Sequence, residues 1–145
     1  MRVAVPADLP ALQDVFRRAS LSNENDRDVL LGSPDALVWE GDGIASGRTL
    51  VAEDAAGLVL GFATDSPYAD GLELDDLFVA PEAMRRGVAS RLVAEIVKRA
   101  AAEGAPWIEV TANPHAAEFY ASAGFRQVGT VETRFAPAPR LRRTT

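Results

Sequence analysis

The feature that most constrains the fold lies in the middle of the chain, where an apolar segment runs into a basic loop and then into an amphipathic helical pattern. Leu77, Phe78 and Val79 end the apolar segment, and the helical pattern starts at Val88. A helix that begins just after a strand directs its unpaired first-turn N–H groups at one spot, and its dipole makes that spot attractive to anions. The segment therefore predicts a strand–loop–helix connection with an anion-binding turn.

The connecting loop, Met84–Ala89, is here called the phosphate loop. Arg85 and Arg86 bring positive charge to it, and Gly87 lacks a Cβ, so that an anion can approach the backbone closely. The loop has neither the lysine of a Walker loop nor the three spaced glycines of a dinucleotide fold. It is therefore predicted to bind a diphosphate by a mode that differs from both of these motifs.

The phosphate loop resembles motif A of the GNAT superfamily of N-acetyltransferases, whose pattern is Gln/Arg-x-x-Gly-x-Gly/Ala. Gly87 and Ala89 match the pattern, whereas Met84 departs from the usual Gln or Arg, and Arg85 is the candidate to replace the lost side-chain contact. An ordinary strand–loop–helix connection stays open as the alternative. The resemblance implies that the loop and the residue after it bind the pyrophosphate of acetyl-CoA: Met84, Arg85, Arg86, Gly87, Val88, Ala89 and Ser90.

A second segment, residues 113–125, supports the same family. Asn113 suits a helix N-cap, Pro114 suits the first turn, and Gly124 suits the helix end, so a helix is predicted over 114–123. The segment resembles GNAT motif B, and the two motifs occur in the family's order. The chain is identified as a member of the superfamily over essentially its whole length. The matching residues are Ala116 or Ala117, Phe119, Tyr120, Gly124 and Phe125.

The resemblance implies an α/β (mixed α+β) fold with a twisted mixed sheet, helices on both faces, and a single domain, 1–145. Periodicity and turn signals predict strands at 3–5, 48–53, 57–63, 72–79, 107–111 and 126–131, and helices at 8–19, 26–31, 88–103 and 114–123. Residues 20–47 are otherwise expected to be irregular. The tail beyond 133 is expected to add a strand that Pro137 and Pro139 keep irregular or on an edge.

In the family, the strands that match 72–79 and 107–111 splay apart, and the pantetheine arm of the cofactor bonds to the backbone groups left unpaired. The resemblance therefore implies that Leu77, Phe78 and Val79 offer their backbone to acetyl-CoA. It also implies that Asn113 bonds to the pantetheine arm, although a plain N-cap role for this residue is equally open.

Acetyl transfer to an amine needs a base, because the amine is charged at neutral pH, and an acid for the departing thiolate. The acidic cluster Glu73, Asp75 and Asp76 lies on the predicted strand before the phosphate loop. Glu73 matches the position of the family's base, and strand alternation places Glu73 and Asp75 on one face and Asp76 on the other, unless a bulge intervenes. Asp75, Asp76 and a purely surface role for all three stay open.

Tyr120 matches the family's tyrosine near the coenzyme sulfur, so it is the implied acid; a phenol with a pKa near 10 suits this role. A tyrosine that only packs on the inner face of its helix is the alternative. His115, the only histidine, is expected at the surface rather than in catalysis.

Composition excludes several classes of chemistry. The chain has no cysteine, which excludes disulfides and thiolate catalysis, and its one histidine leaves no metal-ligand spacing. No apolar run approaches the ~20 residues of a membrane span, and the first residues lack the layout of a signal peptide, so a cytoplasmic location is expected. The sequence shows no basic face with interleaved aromatic residues, so nucleic-acid binding is not expected.

Charge is unevenly divided: residues 1–80 hold 15 acidic and 5 basic side chains, and residues 81–145 hold 6 and 10. This suits a polyanionic cofactor and a cationic acceptor, although many of these charges are also explained as solvated surface. We interpret the chain as an N-acetyltransferase that transfers the acetyl group of acetyl-CoA to a primary amine, with a small molecule as the preferred acceptor. Alternatives are an acyl-CoA sensor without turnover and an enzyme that acetylates protein amines. The oligomeric state stays open, a homodimer included.

Overall fold

A computed structural model describes residues 1–22, 28, 30–133 and 136–145. One seven-stranded sheet has the strand order β1-β2-β3-β4-β5-β7-β6, in which β4 and β5 are parallel and the other pairings with recorded registers are antiparallel. The mixed α/β class is thus confirmed. In chain order the elements are β1 (Arg2–Val3), α1 (Leu9–Leu21), α2 (Asp42–Ala45), β2 (Thr49–Glu53), β3 (Val59–Tyr68), β4 (Gly71–Val79), α3 (Val88–Ala102), β5 (Trp107–Thr111), α4 (Ala117–Ser122), β6 (Arg126–Glu132) and β7 (Pro137–Thr144).

Most predicted elements are confirmed, with shifted ends. The stretch 20–47, expected to be mostly irregular, contains α2 and a 3-10 turn at Pro34–Leu37. Strand β3 continues to Tyr68, five residues beyond the predicted end. The helix predicted at 26–31 lies largely outside the described residues.

The chain divides into two compact units, and the expectation of a single domain stays a prediction. The first unit is Met1–Thr64 with Asp76–Leu92. Its core contains Leu12 and Val15 of α1 and Val51 and Phe62 of the β2–β3 hairpin, all of which are buried. The hairpin turn is closed by Asp54, whose carboxylate accepts hydrogen bonds from two backbone N–H groups of the turn.

The second unit is Asp65–Asp75 with Val93–Thr145. Its parallel pairing joins Leu72 to Ile108 and Glu73 to Glu109, and no later β4–β5 pair is found in the described chain. Helix α3 contributes residues to both units, and its predicted apolar face is confirmed, because Val88, Leu92, Ile96 and Ala100 are all buried.

Strand β7 differs from expectation, because it lies between β5 and β6 rather than on an edge. The reason is the direction in which the nitrogens of Pro137 and Pro139, which have no hydrogen to donate, face. The Pro139 carbonyl accepts from Ala112 N–H at 2.9 Å, so its polar edge faces the side of β5. Since β5 ends at Thr111 and Pro137 shares this side, the two missing donors remove no bond from the β5 ladder.

No helix in the described ranges has both the length and the apolarity needed to cross a membrane.

Candidate functional site

The phosphate loop connects a short 3-10 turn, Pro81–Ala83, to the start of α3. The helical hydrogen-bond ladder begins with Arg91 N–H donating to the Gly87 carbonyl at 3.1 Å. The N–H groups of Val88, Ala89 and Ser90 therefore precede the ladder, and they lie at the positive end of a 15-residue helix. This arrangement can bind an anion.

Two residues of the loop have left-handed backbones: Gly87 at φ +77° and Arg85 at φ +64°. A Cβ added at Gly87 would meet no atom within 4 Å, so the glycine is not there to relieve packing within the protein. A non-glycine residue at positive φ stores strain, which is common at ligand-binding turns. Arg85 and Arg86 are both exposed, and their guanidinium groups are available to an anion at the loop.

Strand β4 leads to this loop through Leu77, Phe78 and Val79, all half-buried. The Phe78 ring lies at the centre of an aromatic row in the first unit. Its centroid is 4.8 Å from Phe16 of α1 and 5.7 Å from Phe62 of β3, and Phe62 in turn lies 4.7 Å from Trp39. These edge-on and tilted contacts fix the end of β4 that precedes the phosphate loop.

Asp76 is held by this aromatic row. Its Oδ2 accepts a hydrogen bond from Trp39 Nε1 at 2.9 Å. Trp39 is only 8% exposed, and its backbone carbonyl accepts from Gln13 Nε2 of α1 at 3.1 Å. The indole is thereby fixed through its ring and its backbone, and it fixes one carboxylate oxygen of Asp76.

Glu73 lies in a different environment, an ion-pair network of the second unit. Both of its oxygens accept from Arg140 of β7, at 2.5 and 2.6 Å, and its side chain is 19% exposed. Arg140 also donates to Glu109 of β5, which accepts further hydrogen bonds from Arg142. Burial acts to raise the pKa of Glu109, but hydrogen bonds from the two arginines outweigh it and lower that pKa.

The remaining acid of the predicted cluster, Asp75, is exposed. The structure therefore gives the three acids three environments: Glu73 clamped by an arginine, Asp75 in solvent, and Asp76 bonded to a buried indole. The sequence missed both Arg140 and Trp39. Alternating arginines in β7 were a usable signal for a charged strand face, but the register that sets Arg140 against Glu73 is a tertiary property.

Tyr120 of α4 is buried, at 6% exposure, between the rings of Phe119 and Phe125, each about 5.2 Å away. Burial raises the pKa of its hydroxyl, so the phenol is protonated at neutral pH but is a weaker acid than the free phenol assumed from the sequence. Asn113 caps the preceding turn by accepting from His115 N–H at 2.9 Å, and His115 is exposed, as expected.

No group of three or more histidine or acidic side chains among the described residues could hold a metal ion.

Comparison with known proteins gives a consistent result. The family model for the acetyltransferase (GNAT) domain matches residues 45–127. A GCN5-related N-acetyltransferase from Kribbella flavida is 28% identical, with a TM-score of 0.70 over 99% of this chain and 96% of that chain. No curated protein matches the sequence.

Two further solved structures show the same fold with a cofactor bound. The PaiA N-acetyltransferase from Thermoplasma acidophilum, in complex with coenzyme A, is 19% identical, with a TM-score of 0.76 over 99% of this chain and 97% of that chain. A phosphinothricin acetyltransferase from Sinorhizobium meliloti, in complex with AcCoA, is 21% identical, with a TM-score of 0.70 over 99% of this chain and 86% of that chain.

Proposed function

The chain belongs to the GNAT family of acetyltransferases, and we propose that it transfers the acetyl group of acetyl-CoA to a primary amine of a small molecule. The observation that carries the proposal is the phosphate loop. It combines an open helix N-terminus, two exposed arginines and a left-handed Gly87 with nothing beside its Cβ position. Coenzyme A and AcCoA in the two similar structures support the same cofactor here.

The cofactor's diphosphate would bind at Met84–Ser90, where the first-turn N–H groups and the two arginines complement its charge. The backbone of Leu77–Val79 would bond to the amide-rich pantetheine arm, as a short added strand does. The early end of the β4–β5 pairing, at Glu73 and Glu109, supports this, because later backbone groups of the strand are left for another partner. Asn113 is proposed as a second contact of the same arm.

The proposed reaction is direct attack in a ternary complex. An ammonium acceptor first loses one proton to a carboxylate, and the neutral nitrogen then attacks the thioester carbonyl. The C–N bond forms, the C–S bond breaks, the second nitrogen proton passes to water, and the thiolate takes the proton of the Tyr120 hydroxyl. Proton exchange with solvent restores the carboxylate and Tyr120, so each turnover yields the N-acetylated amine, free coenzyme A thiol and one proton.

The base is proposed to come from the cluster Glu73, Asp75 and Asp76. A cationic acceptor also fits the acidic excess of residues 1–80, since opposite charge raises the local concentration of substrate.

The test is turnover by purified protein with acetyl-CoA and a panel of primary amines, measured as released thiol. We expect at least one small amine to raise thiol release well above the amine-free rate. Acetylation of peptides but of no small amine would instead favour a protein acceptor. Tight acetyl-CoA binding with no turnover across the panel would favour a sensor and overturn the proposal.

A further inference from the structure

We infer that Arg18 of α1 promotes cofactor binding by holding the Glu82 carboxylate away from Arg86 of the phosphate loop. Arg18 is then a positioning residue, because it acts on the cofactor through Glu82. The inference rests on the proposed function, since it takes the phosphate loop as the site of the coenzyme A diphosphate. All three residues lie in the first compact unit.

Glu82 is the acidic side chain nearest in sequence to the phosphate loop, two residues before Met84. Its place is fixed by the 3-10 turn Pro81–Ala83, in which Ala83 N–H donates to the Ala80 carbonyl at 2.8 Å and the Ala83 side chain is fully buried. A bound diphosphate is repelled by a carboxylate that lies within about 8–10 Å, the distance over which salt screens exposed charges. The charge of Glu82 therefore needs a partner when the cofactor binds.

Two arginines act on Glu82. Its Oε2 accepts a hydrogen bond from Arg18 Nη1 at 2.7 Å, and this bond is the largest cause that lowers the pKa of Glu82. The charge of Arg86 lowers that pKa further, so Arg86 lies near enough to attract the carboxylate. In the part of the chain that the structure describes, Arg86 has no hydrogen bond or ion pair. Glu82 is thus bonded to Arg18, and the Arg86 guanidinium is left for an anion.

Arg18 is oriented for this contact by its own helix. Its Nε donates to Asp14 Oδ2 at 2.8 Å, one helical turn earlier, so one N–H of the guanidinium stays on α1 while another reaches Glu82. The side chains of Arg18 and Glu82 are 39% and 51% exposed, and ion pairs this exposed contribute little to folding. The pair is therefore expected to affect the charge beside the phosphate loop more than the stability of the protein.

Removal of Arg18 would leave Glu82 charged, with Arg86 as its remaining arginine partner. The diphosphate would then have to displace Glu82 from Arg86, and it would meet a negative charge that no longer has a counter-ion. An exposed ion pair of this kind can weaken a competing contact by up to about fivefold. Removal of Glu82 as well would abolish both effects, so the second substitution should restore what the first one loses.

The experiment measures the dissociation constant of coenzyme A by calorimetry, together with the melting temperature, for wild type, Arg18→Met, Glu82→Gln and the double variant. Arg18→Met should raise the constant by about threefold to fivefold at about 0.05 M NaCl, and by less than about twofold at about 0.5 M, where salt screens exposed charges. Glu82→Gln and the double variant should bind at least as tightly as wild type. Arg17→Met, which removes the same charge from the exposed neighbouring position of α1, is the matched control and should behave as wild type.

Unchanged affinity in a folded Arg18→Met protein would overturn the inference, while binding by wild type would leave the proposed cofactor site standing. A loss that the double variant does not restore would also overturn it, because Arg18 would then act without Glu82. An equal loss in Arg17→Met would reduce the effect to net charge and refute the role of the ion pair. Should Arg18→Met fail to fold, Glu82→Gln decides, since weaker binding there contradicts a repulsive carboxylate. Wild type that binds no coenzyme A overturns the proposed function, and this inference with it.

Discussion

Replacement of Gly87 by valine tests the phosphate loop most sharply. In the free protein the new side chain enters open space, because no atom lies within 4 Å of the Cβ position. The cost to folding is therefore the left-handed backbone alone, at φ +77°, which for an L-residue is about 1–2 kcal/mol. The variant is expected to fold with a modestly lower melting temperature.

The effect on the cofactor is larger, because the side chain occupies the space through which a diphosphate would reach the backbone. Loss of one charge-assisted hydrogen bond to a backbone N–H costs about 1.5–3 kcal/mol. This corresponds to a rise of about tenfold to about a hundredfold in the dissociation constant of coenzyme A. Calorimetric titration measures it directly.

The matched control is Gly104→Val. Gly104 has nearly the same backbone, φ +79°, and equally open space at its Cβ position, but it lies just beyond the C-terminal end of α3. The two variants should lose similar melting temperature, and only the Gly87 variant should lose affinity. Unchanged affinity in folded Gly87→Val, or an equal loss in both, would refute diphosphate binding at this loop.

Three further predictions concern single side chains. Tyr120→Phe should lower kcat by about 10²-fold while coenzyme A affinity stays near wild type, and normal turnover on a true acceptor would remove Tyr120 from catalysis. The Tyr68→Phe variant keeps Tyr120 as its single tyrosine, and the absorbance titration of that phenol should have its midpoint above pH 10. The free energy of unfolding should fall as the pH rises through this range, because the phenol ionises at a lower pH in the unfolded chain than in the folded one. A midpoint at or below pH 10 would contradict the burial of Tyr120. Arg140→Met should lower the free energy of unfolding, measured in urea, by ~3 kcal/mol, because Glu73 and Glu109 lose their shared partner. Arg126→Met, at an exposed position of the edge strand β6, should change it little. Equal effects of the two substitutions would contradict the ion-pair network.

Local patterns in the sequence were enough to predict most of the helices and strands and the loop that joins β4 to α3. The buried stripe of α3 repeats every three to four residues, and Gly87 is the single glycine between strand and helix, so both could be read without tertiary information. The position of β7 was not predicted correctly from Pro137 and Pro139, because it depends on tertiary pairing. A proline removes a ladder bond only on the side to which its N–H would point. Whether a bond is lost on that side depends here on where β5 ends.

The site was predicted less completely, since its decisive contacts join distant parts of the chain. The sequence shows three acids close together but cannot show that Arg140, 67 residues beyond Glu73, engages one of them. It equally cannot show that Trp39 bonds to Asp76, because this depends on how the segment before β2 packs. Spacing therefore identified the acidic cluster, and tertiary contacts separate its members.

The most direct test of acetyl transfer is to measure both products in one time course with acetyl-CoA and an accepted amine. Free thiol is measured by a colorimetric reagent and the N-acetylated amine by mass spectrometry. We expect equal amounts of the two products at every time point and a rate that depends on the amine. Thiol release without acetylated amine, or no release with any amine, would contradict the central claim.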